Sequence, residues 1–222
     1  MKALTDKFAE SPVWPRVLPF FIFLVLTSAQ AWFGEAGRYW CYFAKTLVGA
    51  WLIWLMRPFV KEMRWAVSWE AVVVGVGVCV MWVGIDPWYP HLGGGGDPWN
   101  PNDHFGAGTM LAWFFIVVRI VGSSLVVPPL EETFYRSFVY RYVAKPGFEK
   151  VPLNYFAWTP LLVTAGIFGL VHSQWLAGIL CGLAYQWLVI RKNRLGDAMT
   201  AHAITNFLLG LWVVWRPAWQ FW

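Results

Sequence analysis

The chain has 222 residues and a net charge of +5, with 59% hydrophobic and only 13% charged residues. Soluble domains carry about 25% charged residues, and the apolar residues here come in long runs rather than single amphipathic faces. Mean hydropathy is +0.50, which excludes a water-solvated globule and implies lipid as the solvent. The modest positive charge fits cytoplasmic Lys and Arg of a membrane protein, not a nucleic-acid partner.

The expected fold class is all-α: a polytopic transmembrane helical bundle of about seven spans, within a range of six to eight. The first covers 15–33, with Lys2 and Lys7 before it and Arg16 at its start. Ala29-Gln30-Ala31 resembles a small-residue cleavage site, so this segment reads as a signal anchor or a cleaved leader. A second span covers 39–56 and ends in Arg57, Lys61 and Arg64; a third covers 71–85. The stretch 86–108 is rich in Pro, Gly, Asn and Asp, lacks Lys and Arg, and reads as a polar connector.

The fourth span, 110–127, is expected to stop at Pro128-Pro129, with a separate amphipathic helix over 129–143. Further spans cover 158–171, 176–190 (ending in Arg191, Lys192 and Arg194) and 198–215. Residues 1–109 thus form N-terminal spans with an extracytoplasmic loop, and 110–222 a core carrying the polar motifs, within one structural domain.

Basic residues set the orientation. The turns at 57–64, 136–150 and 191–194 belong with the N-terminus in the cytoplasm, and Arg38, Lys45 and Arg119 fit this scheme poorly. The 18 Trp fit interfacial belts. Cys41, Cys79 and Cys181 lie apart in apolar stretches without a CxxC and read as small core residues. Gly178 and Gly182 form a GxxxG that suits close helix packing. The low-complexity Gly93–Gly96 run reads as part of the connector.

Ionisable groups inside apolar spans cost about 2.5–3.5 kcal/mol each on insertion scales, so those that occur are functional candidates. Three places hold them. Glu132 and Arg136 are one helical turn apart and can pair, while Glu131 points about 100° away and stays available as a base. His172 ends an apolar span with Phe168 one turn earlier, and His202 and Asn206 share a face of the last span. Each place alone also suits a structural role: a solvated Glu–Arg helix, a hydrogen-bonded core His, a polar glue between helices. Together they supply a carboxylate to deprotonate water, a His to orient it, and donors for an oxyanion. Glu131, His172 and His202 also have the donor types for a divalent metal such as zinc, although no HExxH or HxxEH motif is present.

The ordered set EExxxR (131–136), FxxxH (168–172) and HxxxN (202–206), each on its own helix, resembles the signature of the CAAX-protease and bacteriocin-processing family. It is similar to the type II CAAX prenyl endopeptidases and their bacterial relatives, with the resemblance running over 110–210. It implies an intramembrane endopeptidase with Glu131 as base and His172 helping to activate water. His202 and Asn206 would form the oxyanion site, and Arg136 would fix Glu132. A protein or peptide at the bilayer is the implied substrate. Members of the family have been described both as glutamate proteases and as metalloproteases, and the glutamate chemistry is favoured here because few further ligands converge with the histidines.

The small size and short loops resemble bacterial members that accompany protein-sorting systems, which implies the inner membrane. Two rival readings stand beside the protease: a non-catalytic scaffold or immunity protein on the same fold, and a small proton-coupled transporter. Against the transporter, the N-terminal half has no counterpart of the motifs, as a duplicated fold would show.

Overall fold

The computed structural model describes residues 2–93 and 98–222; of the expected glycine run, Gly94 to Gly96 lie outside the described residues. Nine helices and no strand occur among them. They are α1 (Lys2–Glu10), α2 (Trp14–Ala29), α3 (Gly34–Met56), α4 (Trp69–Ile85), α5 (Pro101–Phe105), α6 (Met110–Ala144), α7 (Trp158–Leu170), α8 (Trp175–Lys192) and α9 (Gly196–Trp215). Three of them, α4, α6 and α9, are long and apolar enough to cross a bilayer by length and composition alone, and α2 and α7 are shorter apolar helices. The molecule is a helical membrane bundle.

The expected break at Pro128-Pro129 does not occur. α6 runs on through both prolines as one 35-residue helix. Two π-helical stretches, Gly122–Val126 and Thr133–Val139, flank the Pro-containing turn. A π turn shifts the backbone register by one residue, so Val127 N–H donates to Gly122 O. This change of register lets the helix continue through residues that have no N–H. The supposed amphipathic start at 129 is the second half of this buried helix.

Small residues set a close helix contact. Gly178 and Gly182 of α8 face Gly169 and Ala165 of α7; a Cβ on Gly178 would stand 2.8 Å from the Gly169 Cα, and one on Gly182 3.1 Å from the Ala165 Cα. Small residues one turn apart on both helices bring the backbones together, which fixes the end of α7 where His172 follows. α9 is tied to two neighbours through Thr205: the Tyr185 hydroxyl donates to Thr205 Oγ1 at 2.7 Å, and the Thr205 hydroxyl reaches the Gly75 carbonyl of α4 at 2.8 Å. That tie sets the rotation of α9 and hence the faces on which His202 and Asn206 lie.

The two ends of the bundle differ in chemistry. One gathers the basic turns: Glu62 accepts from Arg16 at 2.7 Å, from Arg141 at 3.1 Å and from Ser137, and Lys192 pairs with Glu70 at 3.0 Å. The other carries the 86–108 segment, whose described residues are pinned to the bundle. The Tyr39 hydroxyl donates to Asn100 O at 2.7 Å, Trp175 Nε1 to Pro90 O at 2.9 Å, and Leu92 N to Ser173 O at 2.9 Å. Exposed Trp32, Trp88 and Trp215 mark this end, and Trp54, Trp65 and Trp158 the basic end, as expected for two interfacial belts.

Two outcomes check this packing. Gly178→Val should cost about 1–3 kcal/mol by forcing α7 and α8 apart, read as a lower unfolding temperature in detergent. Burial opposes the Glu62 charge, but Arg16 beside it and hydrogen bonds from Ser137 and Arg16 outweigh burial and hold the carboxyl below its ordinary value of 4.5. A depressed carboxyl stabilises the fold above its unfolded value, and that contribution is lost as pH falls through the folded value. The unfolding midpoint of the wild type should therefore drop on acidification below about pH 4.5, and Glu62→Gln should flatten that slope.

Candidate active site

α2, α3, α6, α7 and α9 enclose a cavity of about 810 Å³ whose wall includes Glu131, His172 and Asn206. α6 presents its two adjacent carboxylates to opposite environments. Glu131 faces the cavity with Tyr135, one turn on. Its Oε2 is buried and has no protein hydrogen-bond partner among the described residues. Glu132 is turned into the core, fully buried. There its Oε2 lies 3.1 Å from Arg136 Nε, an ion pair rather than a well-aimed hydrogen bond, and its Oε1 accepts from His202 Nδ1 at 2.9 Å.

Phe168 serves two of these groups. Its ring lies under the Arg136 guanidinium, 4.3 Å from the centroid, and its carbonyl accepts from His172 Nδ1 at 2.6 Å. A carbonyl can only accept, so Nδ1 carries the proton and the neutral ring keeps its lone pair on Nε2. The Trp82 ring, 5.7 Å away and nearly perpendicular, packs against the imidazole. His172 is thus held in one tautomer on the cavity wall.

His202 and Asn206 share a face of α9 but not an environment. His202 is buried, stacks on Tyr185 at 5.2 Å, and is not among the residues lining the cavity. Its Nδ1–H is fixed by Glu132, as a carboxylate fixes a His tautomer. Asn206 does line the cavity, and its Nδ2 donates to Ser123 O at 2.8 Å. That carbonyl belongs to the first π stretch; its donor five residues on would be Pro128, which has no N–H. The Asn206 amide fills that vacancy and keeps a second N–H for the cavity.

Among the described residues no three His, Cys, Asp or Glu side chains are gathered as metal ligands. Glu131 and His172 share the wall, while the His202 ring sits behind it against Glu132. His91 pairs with Asp86 at 3.0 Å and His104 stacks on Tyr39 at 5.6 Å; both lie outside the cavity lining.

Sequence reasoning missed part of this wall. Arg38, Tyr42, Lys45, Trp99 and Arg119 all line the cavity. The available signal was the poor fit of Arg38, Lys45 and Arg119 to the charge-based orientation. The 86–108 connector contributes Trp99, only 6% exposed, so it is part of the site and not a plain link.

A carboxylate with an unshared oxygen, a tautomer-fixed His and an Asn amide line one cavity sunk in an apolar helical bundle. Residues 106–208, which carry all three motifs, match the family model of type II CAAX prenyl endopeptidase Rce1-like proteins. The matched family is one of endopeptidases, and the stretch it covers lies within the helical membrane bundle. No curated protein and no solved structure matches the chain.

Glu132 and Glu131 should separate in their effects. Glu132→Gln leaves Arg136 buried without its countercharge and should cost about 3–5 kcal/mol. Glu131→Gln should leave the unfolding midpoint nearly unchanged, and both are read by thermal unfolding in detergent.

Proposed function

We propose that the chain is a glutamate-type endopeptidase that cleaves a membrane-associated protein or peptide within this cavity. The observation that carries the reading is that Glu131, His172 and Asn206 line one cavity, while Glu132 is committed to Arg136 and His202. Glu131 removes a proton from a water that His172 Nε2 orients. The hydroxide adds to the scissile carbonyl carbon, and the resulting oxyanion accepts from the free Asn206 N–H. His202, backed by the Glu132 carboxylate, adds its field to the oxyanion side from behind that wall. Collapse breaks the C–N bond, and the proton on Glu131 passes to the departing amine.

The basic end of the bundle belongs in the cytoplasm with the N-terminus, in a bacterial inner membrane on this reading. None of the described lining residues comes from 57–68, 145–157 or 191–195. Gln30, Arg38, Trp99 and Trp222 at the connector end line the cavity, and on this reading substrate enters from the extracytoplasmic side.

Cleavage of membrane peptides by purified protein in liposomes tests the chemistry. Glu131→Gln should lower kcat by about 10²–10⁴, the range for loss of a general base, with His172→Ala and Asn206→Ala also impaired. Activity that survives a chelator supports the glutamate chemistry; loss restored by zinc moves the mechanism to a metal held by Glu131 and His172. Cleavage unchanged in all three variants would overturn the assignment. For orientation, Trp88→Cys should react with a membrane-impermeant maleimide in right-side-out vesicles and Lys61→Cys only in inside-out ones; the reverse pattern would invert the topology.

A further inference from the structure

The turn after α3 carries three cations around a second hollow. A cavity of about 760 Å³ at the basic end of the bundle has Arg57, Lys61 and Arg64 on its wall and no acidic residue among the described lining. Met63, Pro129 of α6 and Met199 of α9 also contribute to it. Val127 and Glu131 face the first cavity and Pro129 faces this one, so α6 lies between the two.

The turn is held in place from inside. Val60 and Met63 are buried, while Arg57, Lys61 and Arg64 are exposed. Met63 N donates to Val60 O at 3.1 Å, and Thr200 Oγ1 of α9 donates to Ala66 O at 2.9 Å. Gly196 lets the chain lie flat against α9, since a Cβ there would stand 2.1 Å from Arg64 O. The acids around the turn are all spent elsewhere: Glu62 on Arg16 and Arg141, Glu70 on Lys192, Asp197 on Arg194. Arg57, Lys61 and Arg64 form no ion pair and no side-chain hydrogen bond among the described residues.

Three like charges around one hollow repel one another unless an anion sits among them. Arg forks and a Lys ammonium match phosphate oxygens, and basic pockets between helices at the cytoplasmic face suit anionic headgroups. The surroundings point to lipid as the source of that phosphate. Leu47, Trp51 and Trp54 are exposed on α3 at spacings of four and three, a lipid-facing stripe that leads down to Arg57 and Lys61. Trp65, 48% exposed, lines the hollow and supplies an indole of the kind that settles at headgroup depth.

We propose that this hollow binds the phosphate headgroup of an anionic phospholipid, held by Arg57, Lys61 and Arg64, with an acyl chain along Leu47, Trp51 and Trp54. The site is separate from the hydrolytic chemistry and does not rest on it. The bound lipid joins the turn to Pro129, two residues before Glu131, and to Met199, three before His202, and so braces α6 and α9 against each other.

The full wild-type chain in neutral detergent tests this with phosphatidylglycerol and phosphatidylcholine of the same acyl chains. Bound lipid is counted by native mass spectrometry, and thermal unfolding is followed in parallel. Phosphatidylglycerol should be retained and should raise the unfolding midpoint saturably, as a ligand of the folded state alone does. Phosphatidylcholine should do neither. Arg57→Gln, Lys61→Gln and Arg64→Gln should each weaken phosphatidylglycerol binding about fivefold, and the triple variant should reduce it to the level of phosphatidylcholine. A control with Lys145→Gln, Lys150→Gln and Arg191→Gln removes the same charge from exposed positions outside the hollow and should keep the preference.

Equal retention of the two lipids by the wild type overturns the site, and this comparison needs no variant to fold. Equal loss of preference in the two triple variants also overturns it, by assigning the effect to the general surface charge. The same saturable shift from inorganic phosphate overturns the lipid as occupant and leaves a site for a free anion.

Discussion

The Glu132 carboxylate, fully buried between Arg136 and His202, is the interaction on which the site depends. Two adjacent carboxylates on one helix would compete for protons if they faced the same space. Here Arg136, one turn on, neutralises one of them inside the core, and Phe168 holds the Arg136 guanidinium from the other side. The pair thus costs the bundle no net charge, and Glu131 is left as the carboxylate that meets the cavity. The same Glu132 orients His202, so α6 and α9 are joined by a charge-assisted contact at the depth where Asn206 enters the wall. A buried pair of this kind is weak evidence for stability against an apolar substitute. Its value lies in fixing the rotation of two helices relative to the cavity.

Pro128-Pro129 supplies the second constraint. In an uninterrupted α-helix two prolines would leave carbonyls one turn earlier without donors and would clash with that turn. The π stretch at Gly122–Val126 shifts the register, and the Ser123 carbonyl that still lacks a donor is taken up by the Asn206 amide. One local defect of α6 therefore holds a polar side chain of α9 at the cavity surface. The second π stretch, at Thr133–Val139, follows directly on the EE pair, so that both carboxylates sit on the short α-helical turn between two widened ones. Irregular backbone at membrane depth is tolerated where protein or a cavity surrounds it rather than lipid, and both conditions hold here.

Much of the bundle was legible in the sequence because apolar runs and their basic borders are local signals. The GxxxG of α8 was also legible, since only small side chains fit where Gly178 meets Gly169. The continuity of α6 was not, because the proline pair reads locally as a helix start and the compensating π turn has no pattern of its own. The division between His202 and Asn206 was hidden for a related reason. A one-turn spacing puts two residues on one face, but it does not say which neighbour each meets, and only the packing of α6 places Glu132 against one and Ser123 against the other. The role of the connector was hidden too: its Pro, Gly and Asn content marks a turn region, while the burial of Trp99 comes from Tyr39 and Tyr42 of α3 meeting it in space.

The misplaced cations tie these threads together. A charge-counting rule assigns Lys and Arg to the cytoplasmic end because they are otherwise expensive to place, so residues that break the rule need a local reason. Lys45 and Arg119 sit among aromatic rings in the half of the bundle away from the basic turns, lining the same space as Glu131. Desolvated in this way, a cation strengthens any interaction with an incoming anion, because little water screens it. The wall that carries Glu131 then has polarity along its length: a carboxylate near the middle of α6 and positive charge toward the connector. Such a gradient distinguishes a cavity that orients what enters it from one that merely admits it.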